Sequence, residues 1–245
     1  MKTKFLSLIF VLAAFVVAGN AQSVVVTGKK VEYKRPKPES EYKATFEINY
    51  PKVKAATPAL SKKIENAISY EKAFSGFSVK EELTDIQWLQ GADYEVEYNN
   101  NGILGIKLSI EGSGAYPSGS TRYVNVNTTT GLKAKPTDAF TNTSGLLRML
   151  RAAKDRDVKK SRMEIKKDRE SGDVEAFDTS IKESARYHPV KLDQFTVSDK
   201  GITFHHDYDF AHVIQALQPD GEFFFSWAQL KPYIKSGGLL ARVAR

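Results

Sequence analysis

The chain of 245 residues contains no cysteine. It therefore forms no disulfide framework, holds no zinc ion or iron–sulfur cluster through thiolates, and has no cysteine nucleophile. The missing thiol also removes the attachment point of a lipobox, so we expect no lipid-anchored form.

The sequence motifs of several enzyme classes are also missing. The four histidines form neither His-x-x-x-His nor His-Glu-x-x-His, so a zinc hydrolase has no support in the sequence. No Gly-x-Ser-x-Gly nucleophile elbow is present. The stretch that begins at Gly112 imitates a dinucleotide-binding loop, but Pro117 stands where the third glycine belongs. A strand is expected after it, whereas phosphate binding needs a helix N-terminus.

Long hydrophobic runs are limited to one, Phe5–Val17, which only Ser7 interrupts. Two lysines precede it, and Gly19–Ala21 supplies small residues for cleavage. The run is shorter than the roughly 20 residues of a membrane-spanning helix, which disfavours the alternative of an uncleaved anchor. We therefore predict a signal peptide at 1–21 and a mature chain that is periplasmic or secreted, with no membrane span after cleavage.

The basic charge of the chain is local. With 41% hydrophobic and 11% aromatic residues the sequence has enough apolar area for a packed core. The formal net charge is +7 and falls to +5 without residues 1–21. Leu146–Glu170 alone, with ten basic and five acidic residues, accounts for that remaining excess.

The first half of the chain has the pattern of strands with a few helices. We expect residues 22–40, which end in a proline-containing segment, to form an extended N-terminal arm. Tyr42–Tyr50 alternates polar and apolar residues as a half-buried strand does, and Pro51 follows it. Thr57-Pro58 predicts the start of a helix that continues to Ser75-Gly76. Asn100–Gly102 predicts a tight turn between two alternating strands.

The second half is expected to be helical over residues 142–185 and to return to strands from Phe195 onward. Ser226 and Gln229 have the spacing of a capping box that opens a closing helix. Together the patterns predict an α+β fold, with antiparallel β-meanders packed against several helices in a single compact module. We place this domain at residues 41–245, with halves at about 41–140 and 141–245.

One group of residues has metal-binding or acid–base chemistry. His205, Asp207 and Asp209 alternate along a predicted strand, so their side chains are expected on one face, where they could hold a divalent metal. The alternative is the solvated face of a half-buried strand. His206 falls on the apolar face and is expected to be a core histidine with its hydrogen bonds satisfied.

Two further segments are candidate binding surfaces. The glycine- and serine-rich stretch Gly112–Ser120 is predicted to be a turn between strands, with Tyr116 and Ser118 available for contact. The basic helix, including Arg148, Lys159 and Lys160, could bind a polyanion; the alternative is a solvated face with i,i+4 ion pairs. Export and the interspersed acids argue against nucleic acid as a partner.

Several segments carry a resemblance to a known family. They are Thr130–Lys133, Asp138–Phe140, Phe195–Val197, Gly201–Phe204, Tyr208–Ala211, and Ser226 with Leu230. They are similar to signatures of an uncharacterised extracytoplasmic domain, found in lysozyme-sensing anti-sigma factors and beside the catalytic domain of some peptidoglycan deacetylases. The resemblance implies an α+β, non-catalytic module that binds a cell-wall-related partner, which is lysozyme in the anti-sigma branch.

Three functional hypotheses follow. The first is an exported, non-catalytic binding module without a cofactor that contacts a cell-envelope glycan or a lysozyme-like protein, with Tyr116, Ser118, Tyr208 and Asp209 in contact and the basic helix assisting. The second is a metal-assisted envelope hydrolase that uses His205, Asp207 and Asp209. The third is a structural envelope protein.

Overall fold

A computed structural model describes residues 23–114, 116–168 and 171–244 of the chain. The predicted signal peptide at 1–21 lies outside the described residues. Within them, the helices are all too short or too polar to span a bilayer.

The largest element is a six-stranded sheet in which the strands follow one another in chain order. Its members are β1 (Val25–Lys34), β2 (Thr45–Lys54), β3 (Leu89–Asn100), β4 (Ile103–Ser113), β5 (Pro117–Asn127) and β6 (Leu132–Lys133). All neighbours are antiparallel except β2 and β3, which are parallel over a short contact. Parallel pairing requires a crossover, and three helices between β2 and β3 provide it.

The predicted N-terminal arm is an edge strand of this sheet for most of its length. Strand β1 pairs with β2 from Val25 opposite Lys54 to Lys34 opposite Thr45. Tyr33 stacks on Phe46 of the neighbouring strand, with ring centroids 5.2 Å apart. Half-buried Val26 and Tyr33 of this strand pack against the core beneath the sheet.

The predicted end of β2 at Pro51 is wrong, since the strand continues to Lys54. Beyond Ile48 the strand has β1 as its only described neighbour, because β3 pairs only with Glu47 and Ile48. A proline lacks an amide hydrogen and cannot donate to a neighbouring strand. Pro51 is tolerated because it has a neighbouring strand on one side only.

The crossover helices cover one face of the six-stranded sheet. They are α1 (Pro58–Ala67), α2 (Tyr70–Ala73) and α3 (Val79–Thr84). As predicted, Thr57 caps α1: its side chain accepts a hydrogen bond from the Leu60 amide. The helix ends at Ala67, earlier than expected, and the chain turns into α2 before Gly76. Ile64 and Ile68 pack in a core with Ile106 and Leu108 of the sheet.

Two hairpins determine the positions of β3, β4 and β5. Asn101 and Gly102 both have positive φ angles, 51° and 77°, which confirms the predicted tight turn between β3 and β4. The predicted glycine-rich turn Gly112–Ser120 is wrong in extent: β4 continues to Ser113 and β5 begins at Pro117. Cross-strand pairing therefore includes most of the segment that composition alone assigns to a turn.

A three-stranded antiparallel sheet and four further helices complete the fold. The strands are β7 (Phe195–Val197), β8 (Gly201–His205) and β9 (Glu222–Ser226), and the helices are α4 (Pro136–Ala139), α5 (Thr143–Asp168), α6 (Ser171–Tyr187) and α7 (Trp227–Leu230). Phe195, Phe204 and Phe225 form a core with Leu146 and Leu150 of α5. The capping box at Ser226 and Gln229 is confirmed, as is the α+β class.

The two sheets meet along β5. The Asn125 side-chain amide donates to the Phe195 carbonyl at 2.7 Å, and the Tyr123 amide donates to Gln194 Oε1 at 3.2 Å. The β3–β4 hairpin contributes Tyr98 and Ile103 to the core of the second sheet. This junction positions the candidate site.

Candidate functional site

A polar groove lies at the junction of the two sheets. It consists of two adjoining hollows of about 330 and 550 Å³. We call it the junction groove. Six residues line both hollows: Ser120, Arg122, Gln194, His205, His206 and Asp207. Tyr123, Gln215 and Gln218 line the smaller one.

His205, at the end of β8, forms the most closely packed contact in the groove. Its ring lies on the Tyr123 ring with centroids 3.7 Å apart and an interplanar angle of 11°. Burial, with a smaller effect from Lys107, lowers the pKa of His205 to about 4, so the imidazole is neutral at pH 7. The His205 imidazole is therefore an uncharged ring whose nitrogen atoms can take part in hydrogen bonds.

The other contacts of His205 resemble a catalytic triad in connectivity. Nε2 lies 3.1 Å from the Thr196 hydroxyl oxygen and Nδ1 lies 3.6 Å from the Glu222 carboxylate. A base with a pKa near 4 accepts a proton poorly at neutral pH. Thr196 is also not among the residues that line the groove. Thr196 and Glu222 are therefore better explained as residues that position the His205 ring than as parts of a catalytic triad.

His206 has an unused polar atom. The residue is only 9% exposed, and its Nε2 has no hydrogen-bond partner. Burial, followed by the charge of Lys154, lowers the pKa of His206 to about 4. The prediction of a buried histidine is confirmed, but the prediction that its hydrogen bonds are satisfied is wrong. A buried polar atom without a partner needs an explanation, and in a residue that lines a groove a hydrogen bond to a ligand is one explanation.

The predicted metal-binding face does not form. Strand β8 ends at His205, so Asp207 and Asp209 follow in a loop and the alternation of a strand no longer applies. Asp207 accepts a hydrogen bond from the Asp209 amide at 2.8 Å, and the Asp209 carboxylate lies 3.1 Å from His188 Nε2. Across the described part of the chain, no three histidine, aspartate or glutamate side chains are grouped as metal ligands.

Tyr208, predicted to contact a partner, is a core residue. It is 1% exposed, and its hydroxyl donates to Asp157 of α5 at 3.1 Å. Burial raises the pKa of Tyr208, and Asp157 raises it further. Its role is to attach the loop after β8 to α5, and Asp209 is the exposed member of the predicted pair.

Tyr116 and Ser118 lie at the end of the β4–β5 hairpin and point to different neighbours. Tyr116 is 57% exposed and stacks on His212 with ring centroids 4.9 Å apart. His212 opens the 3₁₀ segment that contributes Gln215 to the junction groove. The Ser118 hydroxyl instead accepts a hydrogen bond from Trp88 Nε1 at 3.2 Å. Tyr116 is thus the predicted contact residue that lies beside the groove.

The predicted basic helix is α5, and its three candidate residues Arg148, Lys159 and Lys160 are exposed. Lys160 lies 4.0 Å from Glu164, one helical turn away. None of the three is among the residues that line the junction groove. The structure therefore separates the two surfaces that the sequence suggested would cooperate.

Sequence reasoning missed the glutamines and Arg122. They come from three separate segments, which only the packing of the two sheets brings together. The alternation of Thr121, Tyr123 and Asn125 along β5 indicates the face that meets the second sheet. It does not indicate Arg122, which lies on the opposite face of β5 over the Phe74 ring, and the glutamines carry no such signal.

A second surface is the uncovered face of the six-stranded sheet over β1 to β4, which we call the open sheet face. Its ion pairs join Lys30 to Glu47 at 3.0 Å and Lys107 to Glu95 at 3.2 Å. By strand register the charged residues of this face are Lys30, Glu32, Lys34, Glu47, Asp93, Glu95, Lys107 and Glu111. Exposed Glu97, in the β-bulge between Val96 and Tyr98, is counted with them because it acts on Tyr123 together with Glu95. Six carboxylates against three ammonium groups give this face a formal charge of −3 on a basic chain.

Two solved structures share this architecture. A DUF3298-family protein from Bacteroides fragilis aligns with a TM-score of 0.60 and 17% sequence identity, over 91% of this chain and 99% of that one. A DUF3298-family protein from Pseudomonas aeruginosa aligns with a TM-score of 0.51 and 14% identity, over 88% and 96% of the two chains. The chain has the DUF3298 fold.

At these identities the likeness extends to the DUF3298 fold and no further. No protein-family model and no curated protein matches the sequence. The predicted resemblance is therefore confirmed in part: the chain has the fold of a domain of unknown function.

Proposed function

We propose that the protein is an exported, non-catalytic binding module that holds a cell-envelope glycan in the junction groove. The observation that carries this proposal is the unpartnered Nε2 of buried His206 in a groove lined by polar side chains. Export rests on the predicted signal peptide. We further propose that residues 41–245 act as the binding domain, with halves at about 41–140 and 141–245.

The chemistry of the groove suits a sugar. Each sugar hydroxyl both donates and accepts hydrogen bonds, and glutamine side chains and a neutral imidazole offer both functions. Gln215 is exposed in the smaller hollow, and Tyr116 offers an aromatic face beside it. Both histidines are uncharged at neutral pH, and the charged residues of the lining are of both signs, so the groove has no single-sign field that would select an ion over a hydroxyl group.

Co-sedimentation with purified, insoluble peptidoglycan tests the proposal. The wild-type protein should pellet with the polymer, and the double variant Gln215→Ala/His206→Phe should lose most of that binding, because it removes two hydrogen-bonding groups at the groove. Gln90→Ala, a glutamine of β3 that does not line the groove, is the matched control and should bind as the wild type does. Equal binding by the double variant would overturn the role of the groove.

A lysozyme-like protein is the second candidate partner, and the open sheet face supports it. Animal-type lysozymes are strongly basic, and a face with a formal charge of −3 would steer such a protein toward this side of the chain. In calorimetric titration with an animal lysozyme, Asp93→Asn/Glu111→Gln should weaken binding, whereas Glu39→Gln/Glu41→Gln, at exposed positions between β1 and β2, should not. No heat of binding in low salt would reject this candidate. If the protein binds neither peptidoglycan nor lysozyme, the third hypothesis, a structural envelope protein, remains.

A further inference from the structure

A further hollow lies between α6 and the loop that follows β8. Its volume is about 770 Å³, within the range of small-molecule sites. We call it the α6 groove. The contact between His188 and Asp209 belongs to its wall and also to the wall of the larger hollow of the junction groove.

Helix α6 contributes two parallel rows to this groove. Residues four apart lie one above the other on a helix, so Ala176, Ser180 and Ser184 form a row of small side chains. Glu175, Thr179, Glu183 and Tyr187 form a second row beside it. The small row leaves space for a ligand, and the second row places two carboxylates at its rim.

The opposite wall is apolar at its base. Phe210 is buried and packs edge-on against Phe177, with ring centroids 5.9 Å apart. Ile214, one turn further along the chain, continues this surface, while the Asp209 carboxylate stands at the rim. A ligand in the groove therefore meets hydrocarbon on one side and negative charge along its edges.

The charge and one buried hydroxyl identify the ligand class. Glu175, Glu183 and Asp209 are acidic, and no lysine or arginine is among the described residues that line the groove. Ser184 is only 2% exposed, and its Oγ has no hydrogen-bond partner. An ammonium group has three donors and no acceptor, so it matches a set of carboxylates with one free hydroxyl oxygen.

We propose that the α6 groove binds a primary ammonium group carried on an aliphatic stem, the chemistry of a lysine-type side chain or a free diamine. The stem packs on Phe210 and Ile214, and the ammonium group interacts with the rim carboxylates and Ser184. The two proposals are tested on different residues, because the glycan test changes Gln215 and His206, although Asp209 lines both grooves.

Isothermal titration of the mature protein with cadaverine and with Nα-acetyl-lysine amide tests the site. Binding of cadaverine alone assigns a free diamine, and binding of both compounds, or of the lysine derivative alone, assigns a lysine-type side chain. The Nε-acetylated lysine derivative lacks the charge and should bind at least about tenfold more weakly. No binding of either amine, or equal binding of the acetylated compound, overturns the proposal.

Variants test whether the amine binds in the α6 groove. Glu175→Gln/Glu183→Gln should weaken amine binding by about tenfold, and Ser184→Ala by about threefold. Glu32→Gln/Glu111→Gln removes the same charge from the open sheet face and should leave the affinity unchanged within about twofold. Equal weakening by both charge variants would show nonspecific attraction and contradict the site. Because Glu175 and Glu183 are exposed, a thermal melt of the first double variant should match the wild type.

Discussion

Arg35 is the largest fully buried side chain among the described residues, and it hydrogen-bonds to carbonyl oxygens. Burial lowers the pKa of Arg35, and the charge of Glu82 partly offsets that effect. The guanidinium donates to the carbonyls of Lys43, Glu82 and Leu89 and lies 4.8 Å from the Phe46 ring centroid. These groups come from three stretches of the chain: the start of β2, helix α3 and the start of β3. One side chain therefore connects the end of β1 to α3 and to the start of β3.

Replacing Arg35 with alanine should lower the free energy of unfolding by about 3 kcal/mol, because three buried carbonyls lose their donors. Urea denaturation followed by circular dichroism measures this change. Lys34→Ala removes a neighbouring exposed cation and should change stability by less than about 0.5 kcal/mol. Similar losses for the two variants would contradict a structural role of Arg35.

The two neutral histidines predict a pH dependence of stability. Their folded pKa values are lowered to about 4, whereas an unfolded histidine titrates near its ordinary value of 6.5. Between these values the unfolded chain binds more protons, so the contribution of the two histidines to stability should fall as the pH drops from 6.5 toward 4 and should be constant below that range.

His206→Phe removes one of these groups and should reduce the fall in stability over that window by about 2 kcal/mol. Melting temperatures of the wild type and the variant at pH 7 and pH 4.5 give the comparison. A variant with an unchanged pH dependence would show that His206 is protonated as easily in the folded protein as in the unfolded chain.

At the scale of elements, the turn into β9 depends on Gly221. Its φ is +70°, and a Cβ atom there would lie 2.0 Å from the His206 carbonyl oxygen. Its amide donates to Asp157 of α5 at 3.2 Å, and its carbonyl accepts from the His206 amide at 2.8 Å. The turn at Gly221 therefore connects His206 of the junction groove to α5.

Gly221→Ala should lower the free energy of unfolding by about 3 kcal/mol, because backbone strain and a collision with backbone atoms act together. Gly76 also has a positive φ, +81°, but a Cβ atom there would meet nothing within 4 Å. Gly76→Ala is therefore the matched control, with an expected loss of about 1 kcal/mol from strain alone. Chemical denaturation of both variants should separate the two contributions.

Elements with local signals could be predicted from the sequence. The Thr57 cap and the Asn101–Gly102 turn depend on neighbouring residues, and both are confirmed. The extents of β2 and of the β4–β5 hairpin depend on strand pairing, which composition does not show. For the same reason the strand predicted through Asp209 ends at His205, since β7 and β9 have no partner residues beyond it.

At the scale of the whole molecule, three chemically distinct surfaces coexist on one fold. The junction groove is polar with uncharged histidines, the open sheet face has a formal charge of −3, and α5 carries the exposed cations. Local charge therefore says more about partners than the net charge of +7 does. The junction groove could not be predicted from the sequence, because its residues meet only when the two sheets pack.

The turbidity of a purified peptidoglycan suspension tests the central claim of a non-catalytic glycan-binding module. The mature protein alone should leave the turbidity unchanged, and it should slow the clearing caused by added lysozyme. Gln215→Ala/His206→Phe should lose this protection, while Asp93→Asn/Glu111→Gln should keep it if the glycan is what the protein holds. Clearing by the protein alone would contradict the account, since it would require a catalytic site.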